Sequence, residues 1–192
     1  RIIEAQKDGI VVVDGAYMEY AKAKSSNYFI EPKELLKYDN VIYLGTFSKA
    51  FGLGGMRVGY GIGRKELIKL LYKVRPPFNI TTLSLVAACE ALNDMEFVKE
   101  AIELNFKEMN RYIEFAKKYN FEYIDSATNF ITYLFGNNLN STYIANELLK
   151  RGVIIRDLAG YNLNGIRITI GKERENQIFF EKFQEVLRDG DR

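Results

Sequence analysis

The sequence predicts an α/β fold with a sheet-rich first lobe and a smaller second lobe. Three observations support this prediction. Short β-branched runs recur in the first third of the 192-residue chain, helical periodicity fills residues 82–119, and strand and helix patterns alternate after that. Because so long a helical stretch is suited to joining two lobes, we expect the hinge to lie in the long helices.

The first lobe is expected to contain three strands. Residues 10–13 form a continuous β-branched run, which is typical of a strand buried on both faces. Residues 41–44 predict a second strand, and residues 58–63 predict a third that is thinned by glycine. A short helix is expected to begin at Pro32, since proline is well tolerated in the first turn.

The later elements follow from periodicity and from residues that end helices. Residues 65–74 predict an amphipathic helix that Pro76 and Pro77 stop, and Asn93-Asp94 marks the expected break in the long helical stretch. The remaining predictions are a strand at 130–135, a helix at 142–151 closed by Gly152, strands at 153–155 and 166–170, and a final helix at 174–188.

The composition removes several classes of function. The chain has one cysteine, Cys89, and no histidine, which excludes an internal disulfide, a Ser-His-Asp or Cys-His triad, and a zinc site of the usual Cys/His kind. The net charge of +2 favours neither nucleic acid nor a membrane surface, and no apolar run approaches the ~18 residues that span a bilayer. We therefore expect no metal and a cytoplasmic location. The opening Arg1 indicates a fragment or a processed chain.

The most informative segment is GTFSKAFGLGGMRVGY, at residues 45–60. Lys49 follows a predicted strand, Thr46 and Ser48 place hydroxyls beside it, and a glycine-rich loop leads to Arg57. Lysine is suited to form an imine with an aldehyde cofactor, and the hydroxyls and the guanidinium supply donors for a phosphate. A surface lysine in a glycine-rich turn is the plainer interpretation. A dinucleotide site does not fit, because Arg57 stands where the third glycine of that fingerprint belongs.

The second informative segment is VDGAY, at residues 13–17. Asp14 ends a predicted strand, where α/β sheets place groups that contact ligands. Tyr17 follows one short turn later. Taken alone, Asp14 is better explained as a cap or turn residue, and Tyr17 can be explained as a half-buried aromatic at a turn.

Together the two segments resemble fold-type I aminotransferases, which depend on pyridoxal phosphate. The resemblance is carried by Asp-x-x-Tyr and the later Ser-Lys-x(7)-Arg-x-Gly, and it covers nearly the whole chain. Within that superfamily the sequence is similar to the histidinol-phosphate aminotransferase family. The similar segments are VVVDGAYMEY, GTFSKAFGLGGMRVGYGIG, RPPFNIT, SATNF, GVIIRDL and GIRITIG.

The resemblance implies a set of residues that bind the cofactor. Lys49 matches the catalytic lysine that holds it as a Schiff base. Asp14 matches the acid that pairs with the pyridine nitrogen, and Tyr17 matches the residue that bonds the phenolic oxygen. The positions at or beside the cofactor phosphate are those of Thr46, Ser48 and Arg57.

The resemblance also implies two residues that bind substrate. Arg167 matches the arginine that grips the α-carboxylate of the amino acid, and Arg156 matches an arginine expected near the phosphate of histidinol phosphate. Either arginine could instead pair with a local acid. Glu173 is available to Arg167, whereas Asp157 adjoins Arg156 but points to the other face of a strand.

The activity that the resemblance implies is amino transfer between glutamate/2-oxoglutarate and histidinol phosphate/imidazole-acetol phosphate in histidine biosynthesis, by a ping-pong mechanism. It further implies a homodimer acting on small molecules, with residues 1–92 as the C-terminal portion of the large cofactor-binding domain and residues 93–192 as the small C-terminal domain. Two departures weaken the match. Gly15 stands where the family more often has glutamate, and the family's N-terminal region is absent. We therefore do not expect this chain alone to form a complete site.

Three alternatives remain open at this level. A threonine-phosphate decarboxylase or an aromatic aminotransferase would keep Lys49, Asp14 and Arg57 on the same scaffold. A non-catalytic α/β domain could use Lys49 and Arg57 as a simple anion site.

Overall fold

A computed structural model describes residues 1–6 and 8–190, which pack as two compact units. The units divide between Ile102 and Glu103, inside a long helix, α6, that runs over Met95–Lys118. The assignment of residues 1–92 and 93–192 to the two domains of the family stays a prediction.

The first unit contains a three-stranded mixed sheet. Its strands are β1 (Val11–Asp14), β2 (Val41–Thr46) and β3 (Gly59–Gly63). The strand order is β1-β2-β3, with β1 parallel to β2 and β2 antiparallel to β3. The helices of this unit that precede α6 are α1 (Ile2–Ala5), α2 (Met18–Lys24), α3 (Pro32–Leu35), α4 (Lys65–Val74) and α5 (Thr82–Asn93).

The predicted two-sided burial of the first strand is wrong. Along β1 the side chains alternate, so that Val11 and Val13 pack against a small core of Leu35, Val41 and Tyr43 while Val12 is 55% exposed. A β-branched run predicts burial on both faces only if both faces of the sheet are covered. Among the described residues, this core covers one of them.

The helices of the first unit begin and end where local chemistry directs. The helix α4 has the predicted bounds and ends before Arg75, whose extended backbone suits the residue preceding a proline. The hydroxyl of Thr81 accepts the N–H of Ser84 at 3.1 Å and caps α5. The predicted break is confirmed at Asp94, whose carboxylate accepts the N–H of Phe97 at 3.2 Å in the first turn of α6.

The second unit contains a four-stranded antiparallel sheet in the order β4-β5-β7-β6. One face of this sheet forms the core, with Ile131, Tyr133, Ile166 and Ile168 at most 3% exposed. Besides the end of α6, its elements are β4 (Glu122–Ile124), β5 (Phe130–Leu134), α7 (Ser141–Lys150), β6 (Arg156–Asp157), β7 (Gly165–Thr169) and α8 (Glu173–Gly190).

Residues 153–155 are not a strand, contrary to the prediction. Gly152, with φ +83°, closes α7, and the N–H of Val153 donates to the carbonyl of Leu148 at 2.9 Å. This capping bond uses the donor that a sheet ladder would need. Val153 and Ile155 pack partly buried against the core, and the strand β6 begins only at the next residue.

Aromatic rings fill the core of the second unit. Phe183 is fully buried, with ring centroids of Phe179, Phe121 and Phe115 at 5.5, 5.6 and 5.7 Å. Ring pairs at these separations are favourable beyond the area that they bury. The core therefore joins α6 and α8 to one face of the sheet and leaves the opposite face for other contacts.

A buried polar cluster fixes the segment that follows β7. Asn176 donates to the carboxylate of Glu108 at 2.8 Å and accepts from the hydroxyl of Tyr112 at 2.9 Å and from the N–H of Gly171 at 2.9 Å. Buried polar groups of this kind are stable only when they are paired, so the cluster holds the exit of β7 against α6. No helix among the described residues is long and apolar enough to cross a membrane.

Candidate functional site

The first unit places Asp14 and Thr46 together at one edge of its sheet. Asp14 ends β1 and Thr46 ends the parallel strand β2. Asp14 pairs in register with Leu44, and Leu44 and Thr46 lie on the same face because side chains repeat every two residues along a strand. The carboxylate and the hydroxyl therefore project from the same face at the carboxyl ends of the strands, where α/β sheets bind ligands.

Lys49 lies beside Tyr17. The ammonium nitrogen of Lys49 is 5.3 Å from the centroid of the Tyr17 ring, and both side chains are half-buried. Tyr17 immediately precedes α2, a helix that local patterns did not predict. The structure thus brings together two of the predicted site residues from segments 32 positions apart.

Hydrogen bonds order the ends of both strands. A carboxylate oxygen of Asp14 accepts the N–H of Ala16 at 3.0 Å, which fixes the turn leading to Tyr17. The hydroxyl of Thr46 accepts the N–H of Ser48 at 3.1 Å and so shapes the turn before Lys49. Thr46 therefore has a local structural task besides any contact with a ligand.

Arg57 closes the glycine-rich loop with an unusual backbone. Its φ is 53°, in the left-handed region that side chains with a Cβ rarely adopt. Its guanidinium donates to the carbonyl of Gly54 at 2.7 Å, and no acid among the described residues pairs with it. The side chain is exposed, so its remaining donors are available to an anion.

The second unit brings Arg156 and Arg167 together. They are directly opposed partners of β6 and β7, and the register also sets Arg167 opposite Thr132. Opposed residues share a face, so both guanidinium groups lie on the face away from the core. The ring of Phe130, two residues before Thr132, lies 4.9 Å from the Arg167 guanidinium.

Neither arginine forms an ion pair with an acid among the described residues. The carboxylate of Asp157 is instead occupied at the start of α7, where it accepts the hydroxyls of Ser141 and Thr142 at 2.8 and 2.6 Å. Like charges on directly opposed residues destabilise a sheet. A bound anion would relieve this repulsion between Arg156 and Arg167.

Sequence reasoning missed two features of these sites. The contact of Phe130 with Arg167 was detectable in principle, because Phe130 and Thr132 alternate with the buried Ile131 and Tyr133. The second feature is Tyr43, whose side chain packs against Gly15 in the turn after Asp14. Burial first, and then the neighbouring Tyr60, Glu19, Asp14 and Glu31, raise the pKa of Tyr43 to about 12. No local pattern indicated that contact.

The chain matches known proteins over most of its length. A model of the family described as aminotransferase class I and II matches residues 1–183. The histidinol-phosphate aminotransferase of Sulfurovum sp. is 63% identical over 188 residues, which is 97% of this chain and 52% of that protein. The protein of the same name from Sulfurimonas denitrificans is 59% identical over 91% of this chain and 48% of its own length. The chain thus spans about half the length of the relatives that it matches.

A solved structure gives the same result. The crystal structure of histidinol-phosphate aminotransferase from Sinorhizobium meliloti in complex with pyridoxal-5'-phosphate superposes with a TM-score of 0.84 and 29% identity, over 94% of this chain and 49% of that one. The predicted fold class is confirmed, since the chain has the α/β fold of fold-type I transferases. From this fold and the family match, we conclude that the chain belongs to the class I and II aminotransferases.

Proposed function

We propose that the chain is part of a pyridoxal-phosphate-dependent aminotransferase that acts on histidinol phosphate. The full reaction moves an amino group between glutamate/2-oxoglutarate and histidinol phosphate/imidazole-acetol phosphate. The observation that carries the proposal is the position of Lys49 beside Tyr17, in a sheet unit whose strand ends present Asp14 and Thr46. The names of relatives at 59–63% identity support the choice of substrate.

The donor set of the first unit fits pyridoxal phosphate. Lys49 is the amine that an aldehyde requires. Asp14 supplies a carboxylate for the pyridine nitrogen, and Arg57 a guanidinium without an acid partner among the described residues for the phosphate. Thr46 and Ser48 are proposed to lie at or beside the same phosphate. When bound, the cofactor supplies an electron sink for the bond that breaks at the substrate Cα.

Lys49 is proposed as the general base. Once the substrate amine has displaced it, its side chain is free to move a proton at the substrate Cα. Positioned proton transfer of this kind is worth roughly 10² to 10⁴ in rate. Tyr17, whose ring centroid lies 5.3 Å from the lysine nitrogen, is proposed to hydrogen-bond the phenolic oxygen of the cofactor.

The arginine pair of the second unit is proposed to anchor both substrates. Arg167 binds the α-carboxylate of glutamate through bidentate hydrogen bonds. Histidinol phosphate has no carboxylate, so its phosphate needs another cation, which we assign to Arg156. The common face of the two arginines supports this division, because one pocket must accept either anion in alternate half-reactions.

The remaining features of the enzyme are proposed from its family. We infer a homodimer in the cytoplasm, with residues 1–92 in the large domain and residues 93–192 in the small one.

The test is to map the cofactor in the full-length enzyme that contains this chain. After addition of pyridoxal phosphate and reduction with borohydride, we expect a pyridoxyl adduct on Lys49. The Lys49→Ala variant should lose it, and Lys69→Ala, which removes an exposed lysine of α4, should retain it. An adduct spread over many surface lysines, or none, would leave only an α/β domain of another function.

Initial rates then test the substrates. We expect amino transfer from glutamate to imidazole-acetol phosphate, with parallel lines in two-substrate plots. Release of carbon dioxide from a phosphorylated amino acid, or intersecting lines, would contradict the proposed reaction.

A further inference from the structure

Two glycines at the predicted cofactor site lie under tyrosines from the neighbouring strand. A Cβ built on Gly15 would lie 2.2 Å from the hydroxyl oxygen of Tyr43, and a Cβ built on Gly45 would lie 2.2 Å from Cζ of Tyr60. Real Cβ atoms do not approach other atoms so closely. Each tyrosine therefore fills the space that a side chain at the glycine would need.

These tyrosines belong to an aromatic row, which we define as Tyr43, Tyr60, Phe47 and Phe51. The ring centroids of Tyr43 and Tyr60 are 6.4 Å apart, those of Tyr60 and Phe47 are 5.9 Å apart, and those of Phe47 and Phe51 are 4.9 Å apart. Phe47 and Phe51 lie on either side of Lys49 in the chain. The aromatic row thus runs from the turn after Asp14 to the turn that carries Lys49.

Tyr43 acts in this row through its shape. Its side chain is 2% exposed, and burial, followed by the neighbouring Tyr60 and nearby carboxylates, raises its pKa to about 12. The hydroxyl therefore keeps its proton at any working pH of the enzyme and carries no charge into the site.

The backbone at Gly15 transmits the contact to the predicted site residues. Its N–H donates to the carbonyl of Leu44 at 2.8 Å, and its carbonyl accepts the N–H of Met18 at 3.0 Å. Asp14 immediately precedes it and bonds to Ala16 across it. A shift of Gly15 therefore displaces the carboxylate of Asp14 and the start of α2.

We infer that Tyr43 is a positioning residue that sets the Asp14–Tyr17 turn relative to Lys49 by occupying the space above Gly15. The inference rests on the proposed function, since it assigns these residues to the cofactor. It also gives a physical reason for glycine at position 15, since Tyr43 occupies the space that any side chain there would need.

The experiment compares variants of the full-length enzyme by three measurements: the Kd for pyridoxal phosphate, the pH midpoint of the absorbance change of the bound cofactor, and Tm. Gly15→Ala should weaken cofactor binding about tenfold or more and shift the midpoint, because overpacking forces the backbone to move. Gly160→Ala is the matched control, since nothing lies within 4 Å of a Cβ built there.

Two further variants separate position from stability. Tyr43→Phe keeps the ring and should retain the wild-type midpoint, whereas Tyr43→Val removes the ring without a clash and should shift it. If Gly15→Ala does not fold, the pH midpoint of Tyr43→Val alone tests the inference. Adding Tyr43→Val to Gly15→Ala should recover part of the affinity, since contacting residues are not additive.

The outcomes separate the two proposals. If the wild-type enzyme binds no cofactor at Lys49, the proposed function fails. If it binds the cofactor, but Gly15→Ala and Tyr43→Val lower only Tm and leave the midpoint unchanged, Tyr43 is merely structural and the inference is wrong.

Discussion

The two units differ in how they bury their apolar side chains. In the second unit, a continuous aromatic and aliphatic core packs one face of the sheet against α6 and α8. In the first unit, large apolar side chains remain exposed, including Phe78 at 99% and Val74 and Leu83 at 77% each. Both units carry predicted site residues, but the core of the first unit is small, whereas that of the second is extensive and covers the sheet face opposite the arginine pair.

The difference indicates where each unit obtains its stability. Exposed apolar surface on this scale marks a region that contacts other protein. We therefore expect the second unit to be stabilised by its own packing, and the unit that carries Lys49 to depend on contacts from outside the described residues.

The largest expected effect comes from separating the two units and asking whether each one folds alone. Residues 95–192, which include all of α6, should unfold cooperatively on their own, since their core is complete among the described residues. Residues 1–94 should show no cooperative transition. Circular dichroism during heating measures both, and cooperative unfolding of residues 1–94 would remove the distinction.

A core substitution measures how much the aromatic core stabilises the second unit. Phe183→Ala should lower the free energy of unfolding by about 3–5 kcal/mol, because Phe183 is fully buried among aromatic rings. Denaturant unfolding of residues 95–192 measures the loss. Ile154→Ala, at a side chain that is 84% exposed, is the control and should change it little. Equal losses for both variants would contradict the packing that we describe.

The arginine pair tests whether the second unit selects substrate. Arg156→Ala should reduce kcat/KM for histidinol phosphate by roughly 10–150-fold, since a charge-assisted hydrogen bond is worth about 1.5–3 kcal/mol. It should affect glutamate far less. Steady-state kinetics of the full-length enzyme measure both half-reactions, with Arg174→Ala, at an exposed arginine of α8, as the control. Equal losses for both substrates would remove the assignment.

The smallest expected effect is the contribution of the Asp157 carboxylate to the pH dependence of stability in the second unit. Burial alone would raise its pKa, but hydrogen bonds from the hydroxyls of Thr142 and Ser141 and from the backbone at Ala159 and Leu158 outweigh burial and hold the pKa below its usual value. A carboxyl whose pKa is lowered by folding stabilises the fold at any pH above its pKa in the unfolded chain. This contribution is lost as the pH falls through its pKa in the folded protein.

Asp157→Asn should therefore make the second unit less sensitive to acid. The free energy of unfolding at pH 7 should decrease by less than about 1 kcal/mol, as expected for a carboxylate near the N-terminus of a helix, here α7. The gap between variant and wild type should narrow as the pH is lowered below 4. A gap that is constant from pH 7 to pH 3 would mean that the charge of Asp157 does not contribute.

Local patterns predicted much of the fold. The bounds of α4 and the break at Asp94 followed from prolines, caps and periodicity, which act within a few residues. The two errors have different causes. The exposure of Val12 depends on which distant residues cover the sheet. Residues 153–155 are held instead by a local capping bond from the N–H of Val153 to the carbonyl of Leu148, which the β-branched run did not reveal.

The candidate sites show the same limit. Lys49 and Asp14 were identifiable from their motifs, but their chemical roles stay predictions. The pairing of Arg156 with Arg167 depends on strand register, and the contact of Tyr43 with Gly15 depends on which strands are neighbours. Neither relation is encoded in a short segment.

The backbone of Arg57 has a consequence for how this loop can change. A residue with a Cβ at φ 53° costs about 1 kcal/mol relative to glycine, which adopts that conformation freely. Arg57→Gly should thus relieve the strain while it removes the guanidinium. Under the proposed role of Arg57 at the cofactor phosphate, selection for thermal resistance and selection for ligand retention act in opposite directions at this position, so evolution toward a hotter habitat would favour the exchange only if the ligand were no longer required.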